Sequence, residues 1–139
     1  MINKNLDISK IEMDLCQRLT SVMPISLIYS GMRPIDNPKK DNKDTSFMVV
    51  SVPSRVRDDN AYGYTMISID VYVPSLAMGR KPNVEISSIN DKIYSLIPIY
   101  GDKYTYDLGR FPVMDLGRDD HQYFVSRITL DCIINKTKL

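Results

Sequence analysis

The sequence predicts an α+β fold: a mainly antiparallel sheet of four to five strands, with two helices packed on one face. Three observations predict it. Residues 65–73 alternate apolar and more polar side chains, the period-two pattern of a strand with one buried face. Ile86, Ile89, Ile93 and Leu96 then recur at helical spacing, and Pro98 closes the run. Residues 122–135 alternate again over a long final stretch. The order reads α-β-β-β-α-β-β, and two helices can cover one face of such a sheet but not both.

The first helix rests on Ile8, Ile11, Leu15, Leu19 and Val22, with Asp7 or Ser9 as cap and capping-box spacing from Ser9 to Glu12. Pro24 ends it. Residues 25–34 hold one short strand before Gly31 and Pro34 break it. Residues 35–45 carry almost nothing apolar and read as an exposed, mobile loop. A strand over 46–53 follows, with Met48, Val50 and Val52 on one face. The charged link 54–62 joins it to the strand over 63–73, so a hairpin is expected. In that strand Thr65, Ile67, Ile69, Val71 and Val73 face one side, and Tyr64, Asp70 and Tyr72 the other. Asn83 is the expected N-cap of the second helix, with Glu85 in its first turn. Residues 103–108 and 111–116 read as two short strands around Gly109-Arg110, and 117–122 as a turn. The last strand puts Phe124, Ile128, Leu130, Cys132 and Ile134 on one face and Tyr123, Arg127 and Asp131 on the other.

The 139 residues fit one domain, 1–139, whose core needs no staples. A net charge of +1 does not suggest a global binder of nucleic acid or anionic membrane. No apolar run approaches the ~20 residues of a membrane span, and the N-terminus has no apolar signal-peptide core. Cys16 and Cys132 lie among apolar neighbours and read as buried free thiols of a reducing compartment.

Chemistry is hard to find. Asp115, Asp119, Asp120 and His121 offer donors for a divalent metal, but these are also ordinary turn residues. Arg55, Arg57, Arg80 and Lys81 could meet phosphates, which keeps a small nucleic-acid-binding module as the alternative reading; the acidic neighbours Asp58 and Asp59 offset the first two. Gly79-Arg80-Lys81-Pro82 lacks the glycine spacing of a phosphate loop. Neither cysteine has a histidine near it in sequence, and no serine sits in a nucleophile elbow. The reading is therefore of a protein that is not an enzyme and needs no cofactor. The sheet face without a helical cover carries Asp70, Tyr72, Tyr123, Arg127 and Asp131, which are the expected interface residues, unless antiparallel register sets Asp70 near Arg127 as an intrachain cross-strand pair.

Four features resemble the phage tail terminator and tail-completion (head-tail joining) proteins. An amphipathic first helix leads into 28-IYSGMRP-34; 46-SFMVVSV-52 forms a hairpin with 64-YTMISIDVYV-73; Asp70 in that second strand precedes a loop and an amphipathic helix; and the chain ends in a long strand containing 126-SRITLDCII-134. The resemblance is one of topology over nearly the whole chain. The charged 35–45 loop and the elaborate 100–121 region depart from it. It implies a ring of self-associated copies, commonly a hexamer, that stops tail growth and meets tail-tube and head-connector proteins. It also implies nucleic acid only as a transiting or weak ligand, no membrane, and a life in the host cytoplasm and then the virion.

Overall fold

The computed structural model describes residues 3–137. Helix α1 spans Ile8–Arg18 and α2 spans Asn83–Leu96. The strands are β1 (Ile28–Ser30), β2 (Lys39–Lys40), β3 (Lys43–Asp44), β4 (Phe47–Ser51), β5 (Arg57–Asp59), β6 (Tyr62–Pro74), β7 (Ile99–Tyr100), β8 (Tyr104–Arg118) and β9 (Tyr123–Asn135). Seven of them form one mixed sheet in the order β1-β4-β6-β9-β8-β7, with β5 beside β6. No helix among the described residues is long and apolar enough to cross a membrane.

The α+β class is present, but the sheet is larger than expected and not wholly antiparallel. β1 runs parallel to β4, because residues 31–46 supply the dozen or so residues that a crossover needs. β5 and β7 are too short to show alternation. Residues 103–116 are not two strands around a turn: β8 runs through them, and residues 109–112 bulge out opposite Thr129 alone. The 35–45 loop contains the β2–β3 hairpin. Asp41 and Asn42, at its tip, both have positive φ, the geometry of a tight two-residue turn and one that Asp and Asn tolerate.

The main core lies under both helices. Ile11 and Leu15 of α1 and Ile86, Ile89 and Ile93 of α2 pack with Ile67, Ile69 and Val71 of β6 and with Ile128 and Leu130 of β9. Tyr104 and Tyr106 join this core by aiming their hydroxyls at α1 and the turn before it: Tyr104 donates to the Asn5 carbonyl at 3.0 Å and Tyr106 to the Asp14 carboxylate at 2.7 Å. Two capping expectations change. Asp7 caps α1 by accepting from the Ser9 N–H, while Glu12 leaves the helix end to accept from the Ser30 hydroxyl and the Val52 N–H. Asn83 is the first residue of α2 rather than its cap; Pro82 precedes it, and no side chain caps that end. Cys16 and Cys132 are buried free thiols.

Candidate interface surfaces

The face of the sheet away from the helices divides into three regions. At its centre, antiparallel register sets Asp70 directly opposite Arg127. Arg127 donates to both carboxylate oxygens of Asp70, at 2.8 and 3.0 Å, a bidentate fork. Asp70 is only 6% exposed, and its bonds push the Arg127 pKa up. Both residues were expected on an interface; the register instead turns them toward each other, so their first role is within the chain.

At one end, the expectation of an uncovered face fails. Phe47 stacks on Tyr72 with ring centres 4.5 Å apart, and Tyr29 and Tyr123 meet Phe47 edge-on. Arg33 closes the cluster, with its guanidinium 5.3, 5.6 and 5.5 Å from the ring centres of Phe47, Tyr72 and Tyr123. Asp119 and Asn37 then hold Arg33 in place, each accepting from it at 2.6 Å. The Tyr123 hydroxyl donates to the Thr45 carbonyl, and burial raises its pKa to about 12. Tyr123 has no exposed surface and Tyr72 is half-buried beside it, so neither is presented as the sequence suggested. The sequence reading missed Arg33, although Phe47, Tyr72 and Tyr123 at matching ends of three strands call for a covering group.

The other end stays open. Met66, Asp131 and Ile133 are exposed there, and with Tyr64 they floor a groove of about 430 Å³ walled by Arg55 and Arg57. Arg57 lies over the Tyr64 ring at 4.7 Å. The outer half of β8 starts beside this groove, with Leu108 opposite Leu130, and runs past the centre of the face, with Met114 opposite Arg127, to Arg118 opposite Phe124. β7 pairs only with Thr105 and Tyr106, so residues 108–118 form a sheet edge without a neighbour among the described residues. That edge exposes Leu108, Phe111, Val113, Met114 and Leu116, and Phe111, on the 109–112 bulge, is 75% exposed. A signal was present in the sequence: Pro112 inside a strand pattern marks an edge or a bulge. Gly109 fits the bulge because a Cβ there would meet the Thr129 carbonyl at 3.2 Å.

The remaining candidates do not converge. Arg55 and Arg57 sit by Tyr64, while Arg80 and Lys81 follow Pro74 at the far end of β6, roughly 30 Å away along the strand. Lys81 pairs with Asp115, which lowers the Asp115 pKa, and Arg80 donates to the Ala77 carbonyl. The four cations thus form no single phosphate-tracking stripe. Asp119 is committed to Arg33 and to the N–H groups of His121 and Tyr123, so it organises the turn. Among the described residues no three of His, Cys, Asp and Glu gather as a metal site. Burial raises the Cys16 thiol to about 11 and Cys132 to about 12, far from the thiolate a nucleophile needs.

No protein-family model matches the chain, and no curated protein matches its sequence.

Proposed function

We propose that this is a structural assembly protein that works by self-association, as a tail terminator or head-tail joining ring of a tailed phage or prophage. The observation that carries self-association is the outer half of β8. An unpaired edge is a template for another chain, and soluble proteins usually blunt it with charge or cover it. Arg110, Asp115 and Arg118 put some charge on this edge, yet five large apolar side chains are exposed along it as well, including Phe111 at the tip of a bulge. Large apolar side chains exposed along one unpaired strand are a mark of interaction surfaces.

The phage assignment draws on the resemblance carried by 28-IYSGMRP-34, the hairpin ending in β6 with Asp70, and the long last strand. In this reading copies associate side by side and close as a ring, a hexamer by the same resemblance. Its ends meet tail-tube and head-connector proteins, and DNA only passes through. The chain works in the host cytoplasm and ends in the virion. Of the residues first expected at the interface, Asp131 keeps that role, since it is exposed beside the open edge.

Light scattering over a concentration series tests the reading. The expected result is a discrete closed oligomer that Phe111→Asp converts to monomer. A wild-type monomer at every concentration overturns self-association, and an open-ended or irregular association overturns the ring.

A further inference from the structure

We propose that the 109–112 bulge is a knob that seats in the groove beside Arg55 and Arg57 of a second copy of this chain. The inference rests on the assembly reading and names its contact. The groove specifies its occupant through three features. Its floor is apolar and open to water: Met66 is 45% and Ile133 41% exposed, next to the Tyr64 ring. One side is negative. Asp107 and Asp131 are direct cross-strand partners, both are exposed, and neither is in an ion pair among the described residues. Like charges directly opposite each other repel, so a cation placed beside this pair is stabilising. The third feature is the positive wall of Arg55 and Arg57, also outside any ion pair among the described residues. The fitting group is therefore apolar, with a cation on one flank only.

The bulge presents that group. Arg110 holds its guanidinium 5.6 Å from the centre of the Phe111 ring, and both side chains are exposed. Phe111 would settle on Met66 and Ile133. Repulsion from Arg55 and Arg57 would set the orientation and send Arg110 toward Asp131. In its own chain the knob does not line the groove. Its base lies against Thr129 and Asp131 of β9, and its ring points into solvent. One phenyl ring covers only ~150–250 Å², less than a stable interface needs. Met114, opposite Arg127 on the groove's own face, supplies further apolar surface, and Leu108 and Val113 add to it along the helix side of the same edge. Each copy has one knob and one groove, so the contact passes from copy to copy, as closure into a ring requires.

The test is a charge swap read by light scattering, with circular dichroism to confirm that each variant keeps its fold. Arg110→Asp alone and Asp131→Arg alone should each weaken self-association about tenfold or more, because like charges then meet in the contact. An equal mixture of the two variants should associate close to the wild-type value. Each copy then offers its knob to a complementary groove on the other, and the double variant in one chain should behave likewise. Single variants that associate like wild type, or a mixture that stays dissociated, overturn the knob and groove while leaving self-association standing. A wild-type protein that never associates overturns both.

Discussion

The two ends of the same sheet face carry similar apolar material and meet opposite fates. At one end Phe47, Tyr72 and Tyr123 are sealed by Arg33, which Asp119 and Asn37 hold in place. At the other, Met66 and Ile133 stand in water in the groove, and the β8 edge that starts beside it leaves Phe111 exposed with no strand over it. The difference is one of cover rather than composition. A segment with almost no apolar content, 33–45, completes the first region because it delivers a guanidinium and one of its two partners, Asn37, to three rings. Nothing among the described residues does so for the second. A stable domain thus keeps one apolar region for its own fold and leaves another for a partner.

The strongest way to break the comparison is to remove a ring from each region. Phe47→Ala empties a fully buried site touched by Tyr29, Tyr72 and Tyr123, and should cost ~3–5 kcal/mol. Thermal melting would show a fall of roughly 10 °C or more. A loss under about 1 kcal/mol would mean that the aromatic end is not a core and that Arg33 covers nothing of value.

The next effect belongs to the centre of the face. Arg127→Glu sets two carboxylates together where a fork had been, and should cost about 2–3 kcal/mol. That is below the ~3–5 kcal/mol of a fully buried pair, since Arg127 leaves 33% of its side chain exposed. Replacing both partners, as Asp70→Leu with Arg127→Met, should recover most of the loss in chemical denaturation. A single variant as stable as wild type, but unable to assemble, would return these residues to the interface first expected of them.

How far the sequence could be read follows the same division. The strand over 65–73 was legible because Ile67, Ile69 and Val71 are covered by helices whose own periodicity was visible. The fate of the opposite face was not, because alternation shows that a side chain faces away from the helices without showing what lies over it. Tyr123 looked presentable and is buried, since its cover comes from Arg33 and Thr45, distant in sequence and unmarked by any pattern. The groove and the exposed edge were hidden for a related reason. Gly109-Arg110 has the composition of a turn, and only the register with Thr129 shows a bulge within one strand. Asp70 and Arg127 were each placed on the correct face, but their roles depended on a pairing that the sequence offered only as one option.

Alkaline titration sharpens the contrast more gently. Burial pushes Tyr123 to about 12 at the sealed end, and Tyr104 to about 12 and Cys132 to about 12 in the main core. These folded values lie above the ordinary 10.0 of tyrosine and 9.0 of cysteine, so the folded chain holds these protons more tightly than the unfolded chain. Their contribution to stability is fully present below pH 9, declines as pH rises past 9–10, and continues to decline toward about 12. Tyrosinate absorbance should therefore show a late-titrating set that moves to near 10 in denaturant. A single transition near 10 in the folded protein would mean that the sealed rings are open to water.

The smallest effect on stability is expected at the open end, and it is the most informative. Among the described residues the Phe111 ring meets only Arg110, and it is three-quarters exposed. Phe111→Asp removes little that the isolated chain relies on, so denaturation should shift by no more than about 0.5 kcal/mol. Yet the same change puts a charge at the centre of the surface that self-association uses, where buried aromatic residues carry most of the binding energy. Loss of association with stability unchanged would separate the two ends by purpose: Phe47 serves the fold and Phe111 serves the partner. A stability loss approaching that of Phe47→Ala would instead place Phe111 in the core of its own chain, and the difference between the two ends would disappear.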